Sequence, residues 1–345
     1  MTMNRHFWAL AALAALAAGL GQLTLACSGN DSTSGAAGGA GGSPDGGAPD
    51  ASPGDPNVLA GTFQVRLVAP IPAMDGQPET PGYAAVLGKV YDGPTPGQIV
   101  WEKGTKAGDC QLLTPRVPFC STPCGGSAVC VEDETCQPYP TAHTVGTVTA
   151  KGLKTESGAT EISMEPVANN YQTPAGVKLL YPPFAEGDDV IFSAAGGDYG
   201  AFSVQSKGIS PLELTNASIT IEPDKPITLT FNPPSIPGQT TIRAKLDISH
   251  HGGTKGVIEC EAPDTGSLEL SAGILKELVD LGVAGFPTIA ITRLAVGSTT
   301  ISPGRVDLVI ASDVERSVQI PGLTSCTEDA QCPNGQTCQS DLTCK

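Results

Sequence analysis

The chain has 345 residues, with 35 acidic against 19 basic side chains and a formal net charge of −16. No cluster of Lys or Arg interrupts that acidity, so the electrostatic footprint of a nucleic-acid binder is missing. With 42 Gly, 30 Pro and little helix-forming sequence, the composition argues for short strands joined by turns rather than an α/β fold.

Residues 1–26 read as a signal peptide. Arg5 supplies a positive start, and every residue from Phe7 to Leu20 is apolar, Ala or Gly. That run is short for a bilayer span and suits a secretory core segment. The stretch Leu23-Thr24-Leu25-Ala26-Cys27 resembles the lipobox of bacterial lipoproteins, in a relaxed form with Thr24 and Leu25 in the two places before Ala26. The resemblance implies that Cys27 becomes the new N-terminus and carries diacylglycerol. It also implies, from Ser28 in place of Asp, delivery to the outer membrane. A membrane is then the first expected partner, reached through lipid, since several acyl chains hold far better than one. The alternative is an ordinary secreted protein cut near this point, or a retained membrane helix.

Residues 27–57 follow as a lipidated Cys and a low-complexity linker with no Ile, Leu or aromatic residue before Val58. Such a segment buries too little to offset its ordering entropy, and about thirty residues of it reach roughly 30 Å.

From Thr62 onward, Phe63, Val65 and Leu67 alternate with Gln64, Arg66 and Val68, the period of a half-buried strand. Further strands are expected at 84–90, 98–102, 145–149, 177–181, 189–194 and 201–205. Pro81-Gly82, Asp92-Gly93 and Gly196-Gly197-Asp198 mark turns between them. A second β block has strands at 227–231, 240–248, 256–261, 288–294, 306–310 and 316–320. One helix is expected there, capped by Ser271, carrying a stripe of Ile274, Leu275, Leu278 and Val279, and ended by Gly282. The expected fold is all-β: two antiparallel sandwiches (Ig-like or jelly-roll-like) at 58–208 and 209–322, plus small disulfide-rich modules at 110–136 and 323–345.

The eleven Cys are odd in number, and assigning Cys27 to lipid leaves ten. Eight of those ten form two short series, Cys120, Cys124, Cys130, Cys136 and Cys326, Cys332, Cys338, Cys344. Laid over each other, the two series match at their last three Cys, at Asp133 and Asp341, and at Thr135 and Thr343. This is an internal repeat. Some twenty residues with almost no apolar side chains need covalent staples, and x5 spacing without a CxxC pair favours disulfides over zinc. Cys260 stands apart: either Cys110 or a neighbour bridges to it, or a free thiol is buried at each place. The full arrangement resembles the envelope lipoproteins of myxobacteria, which implies a surface protein.

Catalytic candidates are few. Asp264-Thr265-Gly266-Ser267 is similar to the Asp-Thr-Gly-Ser loop of aspartic proteases, but a second copy is missing and a polar turn is the simpler reading. His250 and His251 stand near Asp247, yet adjacent residues on a strand point to opposite faces and chelate poorly. Glu186 to Asp189 and Glu132 to Glu134 are acidic loops that match no EF-hand register. No cofactor or metal is expected. The expected role is non-enzymatic adhesion or binding of a protein or carbohydrate ligand at the outer membrane. The alternatives are a hydrolase with His251 beside Asp264, and a structural envelope component with no concave site.

Overall fold

The computed structural model describes residues 54–71, 78–97, 99–222 and 224–345. The signal segment, Cys27 and the linker up to residue 53 lie outside the described residues. In chain order the strands are β1 (Leu59–Val68), β2 (Tyr83–Tyr91), β3 (Val100–Ala107), β4 (Cys110–Arg116), β5 (Ala128–Glu132), β6 (Thr135–Pro138), β7 (Ala142–His143), β8 (Val148–Lys151) and β9 (Glu161–Met164). After these come β10 (Asn170–Gln172), β11 (Asp189–Ala194), β12 (Phe202–Lys207), β13 (Ile227–Thr230), β14 (Thr241–Asp247), β15 (Val257–Pro263) and β16 (Ser267–Leu270). The helix α1 (Ala272–Asp280), β17 (Thr288–Ile301) and β18 (Gly304–Ser317) complete the frame. The molecule is all-β, and its disulfides form as paired Cys.

A ten-stranded sheet runs β10-β2-β1-β18-β17-β14-β15-β4-β3, with β7 added beside β2. Its spine is the 14-residue hairpin of β17 and β18, paired without a break from Thr288↔Ser317 to Ile301↔Gly304. Every pairing of this sheet is antiparallel except one, β1 with β18. That parallel ladder is possible because nearly the whole folded chain lies between its two strands, long enough for any crossover.

One face of the spine carries two cores. Ile289, Ile291, Arg293, Ala295, Gly297 and Ile301 share a parity on β17, so they share a face. The first core gathers Phe63, Val65, Leu67, Phe192, Val204, Leu308 and Ile310 beneath the four-stranded sheet β12-β11-β8-β9. The second gathers Leu112, Leu229, Ile242, Leu246, Ile258, Leu275, Ile289 and Val314 beneath β13, β16 and α1. Fully burying one such side chain contributes about 1.5–3 kcal/mol.

Between the cores lies a polar seam. Arg293 and Ser312 are register partners on the spine, and both are 0% exposed. Arg293 donates from Nε to Asp264 Oδ2 at 2.6 Å and from Nη1 to Ser210 Oγ at 2.9 Å, and its Nη2 donates to the Asn232 carbonyl. Ser312 Oγ accepts from the Leu212 N–H at 2.9 Å. The chain therefore crosses from the first core to the second between Ile209 and Leu212.

Four expectations change. Blocks 58–208 and 209–322 share one sheet instead of each closing its own: β4 brings Cys110 and Leu112 to the second core, and β18 brings Val306 to Ile310 to the first. The linker ends sooner than residue 57, because Gly54 donates to Ile301 O at 2.9 Å and Arg305 donates to Pro56 O. The strand expected at 177–181 is a loop with a single bridge from Leu179 to Thr155, as the flanking Pro174 and Pro182 would lead one to expect. Finally, Cys110 belongs to β4 and not to the inserted module, which spans Cys120 to Cys136.

Candidate binding surfaces

Both cysteine modules carry the same crossed pairing, first to third and second to fourth. The bonds are Cys120–Cys130 with Cys124–Cys136, and Cys326–Cys338 with Cys332–Cys344. The likeness extends to the backbone: Cys130 faces Cys136 across β5 and β6, and Cys338 faces Cys344 across a bridge. Glu134 and Leu342, equivalent positions in the repeat, both hold positive φ, at 62° and 60°. Three sulfurs of each module lie within 4.8 Å of one another, a metal-like cluster that the crossed disulfides account for.

The repeated Asp accepts hydrogen bonds in both copies, from different partners. Asp133 Oδ1 accepts the Phe119 N–H at 2.9 Å and Arg116 Nη1 at 3.0 Å. The Phe119 N–H foremost, aided by the Arg116 guanidinium, holds the Asp133 carboxyl below its ordinary value. Asp341 is held low in the same way, chiefly by Lys345 Nζ at 2.6 Å and then by Thr343. In the C-terminal module the carboxylate pins the turn before the last Cys, whereas in the first module it ties the leading segment to that turn.

Their surroundings differ. The C-terminal module is seated on the loop before β17: Gly285 N–H donates to Asp341 O at 2.7 Å, and Ser325 Oγ donates to Gly285 O at 2.6 Å. The first module leaves its leading segment bare. Val117 is 91% exposed and Phe119 is 70% exposed. Ile99, just before Val100 as Val117 is just after Arg116, its register partner, is exposed as well. Two cross-linked loops thus hold an apolar tip rigidly in water.

The fifth disulfide joins Cys110 to Cys260, register partners on β4 and β15 with a Cα–Cα distance of 4.0 Å. Above it an open groove of about 400 Å³ lies between the β3–β4 turn, the end of β15 and β16. Asp109, Thr265, Ser267 and Glu269 line it over Ala262 and Leu268.

The catalytic candidates scatter. Asp264 is buried and engaged by Arg293 and by Thr240 Oγ1 at 2.9 Å. It follows Pro263, the partner of Thr241, whereas His250 and His251 follow Asp247, the partner of Val257. The two ends of that ladder are about 20 Å apart at ~3.4 Å per residue. The hydrolase arrangement of His251 beside Asp264 is therefore not assembled. The His250 and His251 rings are tilted by 53° with centroids 3.9 Å apart, and His250 Nδ1 lies 3.9 Å from Asp247 Oδ2. His251 takes a φ of 65°, so the pair sits in a turn and not on a strand. The acidic loops serve local contacts: Glu186 accepts the Ile236 N–H, Asp188 accepts the Ala185 N–H, and Asp189 pairs with Lys207.

Sequence reasoning missed the groove and the bare tip. Reading Asp264-Thr265-Gly266-Ser267 as a polar turn did not anticipate that Asp264 is buried and paired with Arg293. Among the described residues no helix is long and apolar enough to cross a membrane. No protein-family model matches the chain, and no curated protein matches it. Among solved structures, the FN1–FN3 domains of chicken CNTN1 align over 77% of this chain and 90% of that one, at 8% identity and a TM-score of 0.18. The fold described here stands on its own ladders and registers.

Proposed function

We propose that this chain is a non-enzymatic binding protein of the bacterial cell envelope, held at the outer membrane by lipid on Cys27 and acting through contact with another protein. The observation that carries this reading is the bare tip of the first module. An exposed apolar segment costs solubility, and one that is rigidly presented marks an interaction surface. Phe119 is fixed at its amide by Asp133 and at its neighbour Cys120 by a disulfide. Little side-chain or loop entropy would then be lost on contact, which is what preorganisation contributes to affinity. The open groove also argues against a purely structural component, for which no concavity is expected.

Two measurements test this. Growth with an alkyne fatty acid should label the wild-type chain, with the label abolished in Cys27→Ser; an unlabelled wild-type protein overturns the anchor. Particles coated with the purified protein should adhere to intact cells of the source bacterium, and Val117→Ser with Phe119→Ser should reduce adhesion at least fivefold while leaving all five disulfides in a peptide map. Undiminished adhesion by that correctly bridged variant overturns the role of the tip.

A further inference from the structure

We propose that the first cysteine module grips a partner protein as the C-terminal module grips this chain's own fold, by closing on a glycine turn, and that the partner's turn carries an apolar residue beside its glycine. The inference rests on the Phe119 tip being a protein-binding surface, and it says what that surface recognises.

The C-terminal module supplies the pattern. It holds the buried Gly285 from both sides: the Gly285 N–H donates to the Asp341 carbonyl at 2.7 Å, and the Gly285 carbonyl accepts from Ser325 Oγ at 2.6 Å. Both gripping residues are fixed points of the repeat. Asp341 precedes Leu342, whose φ of 60° turns the chain toward Cys344, and Ser325 precedes the first Cys of the module. The leading segment lies against that turn, since the Cys326 N–H donates to the Leu342 carbonyl at 3.0 Å. Gly285 itself has a φ of 56°, in the left-handed region that glycine enters without strain.

The first module holds the same two points in the same relation. Asp133 precedes Glu134, at a φ of 62°, and Phe119 precedes Cys120, equivalent to Cys326 by its pairing with the third Cys. The leading segment again lies against the turn, with the Glu134 N–H donating to the Phe119 carbonyl at 3.0 Å. What differs is the cover. Thr343 is buried and Leu342 half-buried, whereas Thr135 and Glu134 at the equivalent places are exposed. Among the described residues the Asp133 carbonyl meets only the Thr135 hydroxyl, at a long 3.5 Å. An exposed carbonyl alone selects nothing. This one stands where the other copy of the motif already binds a glycine.

The second point sets the partner's chemistry. Where Ser325 offers a hydroxyl, Phe119 offers a ring that is 70% exposed. A ring does not donate to the glycine carbonyl, but it buries an apolar side chain laid against it. In the pair already formed within this chain, the residue after Gly285 is Phe286. A turn of that kind gives its N–H to Asp133 and its apolar side chain to Phe119.

The probe is a cyclic peptide of residues 282–288, Gly-Val-Ala-Gly-Phe-Pro-Thr, added at millimolar concentration to the isotope-labelled mature chain and followed by NMR. Support is a saturable shift of the Phe119, Asp133 and Glu134 amides. Binding should be at least fivefold weaker with N-methylglycine in place of Gly285, which removes the donor, and at least fivefold weaker to the Phe119→Ala chain with its five disulfides intact. No shift at those amides, shifts confined to Asp341 and Leu342, or equal binding by the N-methyl peptide or by the Phe119→Ala chain overturns the grip. Particle adhesion keeps the two readings apart. If no peptide binds while Val117→Ser with Phe119→Ser still reduces adhesion, the glycine grip falls and the tip stands; if adhesion is undiminished as well, both fall.

Discussion

Arg293 sits where a residue of its kind is most costly, fully buried between two apolar cores, and every nitrogen of its guanidinium finds an acceptor. Removing one member of such a pair strands the other charge, so Arg293→Met is expected to cost about 3–5 kcal/mol. Adding Asp264→Leu should recover most of that loss, because it removes the orphan. Chemical denaturation of both variants checks this, and a single-variant cost under ~1 kcal/mol would contradict it. The repeated Asp gives a second expectation. Asp133 has its folded-state carboxyl held below the ordinary 3.8. A depressed value means that the stabilisation is present above about 3.8 and is lost as pH falls through the lower folded value. An NMR titration should show the Phe119 amide shifting only in that acid range, with the shift absent in Asp133→Asn. At this scale the sequence was partly legible. The Asp-Thr-Gly turn and the matched Asp133 and Asp341 were visible as motifs, but a buried Arg looks like any surface Arg until its strand partners are known.

The hairpin of β17 and β18 serves both cores, and its mid-point tolerates no side chain. A Cβ on Gly297 would stand 1.6 Å from the carbonyl oxygen of Gln205 on β12. Neither backbone can yield without parting the two sheets, so Gly297→Ala is expected to cost about 3 kcal/mol, the upper end of ordinary overpacking. Thermal unfolding measures it, and an unchanged melting temperature would show that β12 does not approach so closely. The alternation on β1 and β14 was readable because one face of each is wet. The strand β4 was not readable, since its Cys110 suggested membership of the cysteine module. The spine strands were expected at about half their length, because Gly297 follows the expected 288–294 and the polar Ser312-Asp313 separates the expected 306–310 from 316–320, while the strands continue through both.

Sharing one sheet makes the molecule a single cooperative body. A fragment of residues 54–208 lacks the spine on which its core rests, and it should remain unfolded by circular dichroism, while the mature chain should unfold in one transition. Replacing Cys110 and Cys260 by Ser opens a link spanning 150 residues. The chain-entropy estimate for that loop is about 5 kcal/mol, to be read from denaturant midpoints. Two separate transitions in the intact protein would refute the shared-sheet account. The two-core plan showed in the sequence as a change of block near residue 208, but the pairing of β1 with β18 did not, for no local pattern announces partners from opposite ends of a chain. That pairing also decides how the protein carries load. The chain enters the fold at the tip of the spine hairpin, where Gly54 meets Ile301, and β1 then runs alongside β18 in the same direction. Tension applied upstream of Gly54 and resisted beyond Ser317 drags these two strands lengthwise past each other. All their rungs then strain together instead of parting one by one. Pulled through those points in a force spectrometer, the chain should hold to a markedly higher force than when the same hairpin is peeled open from Thr288 and Ser317.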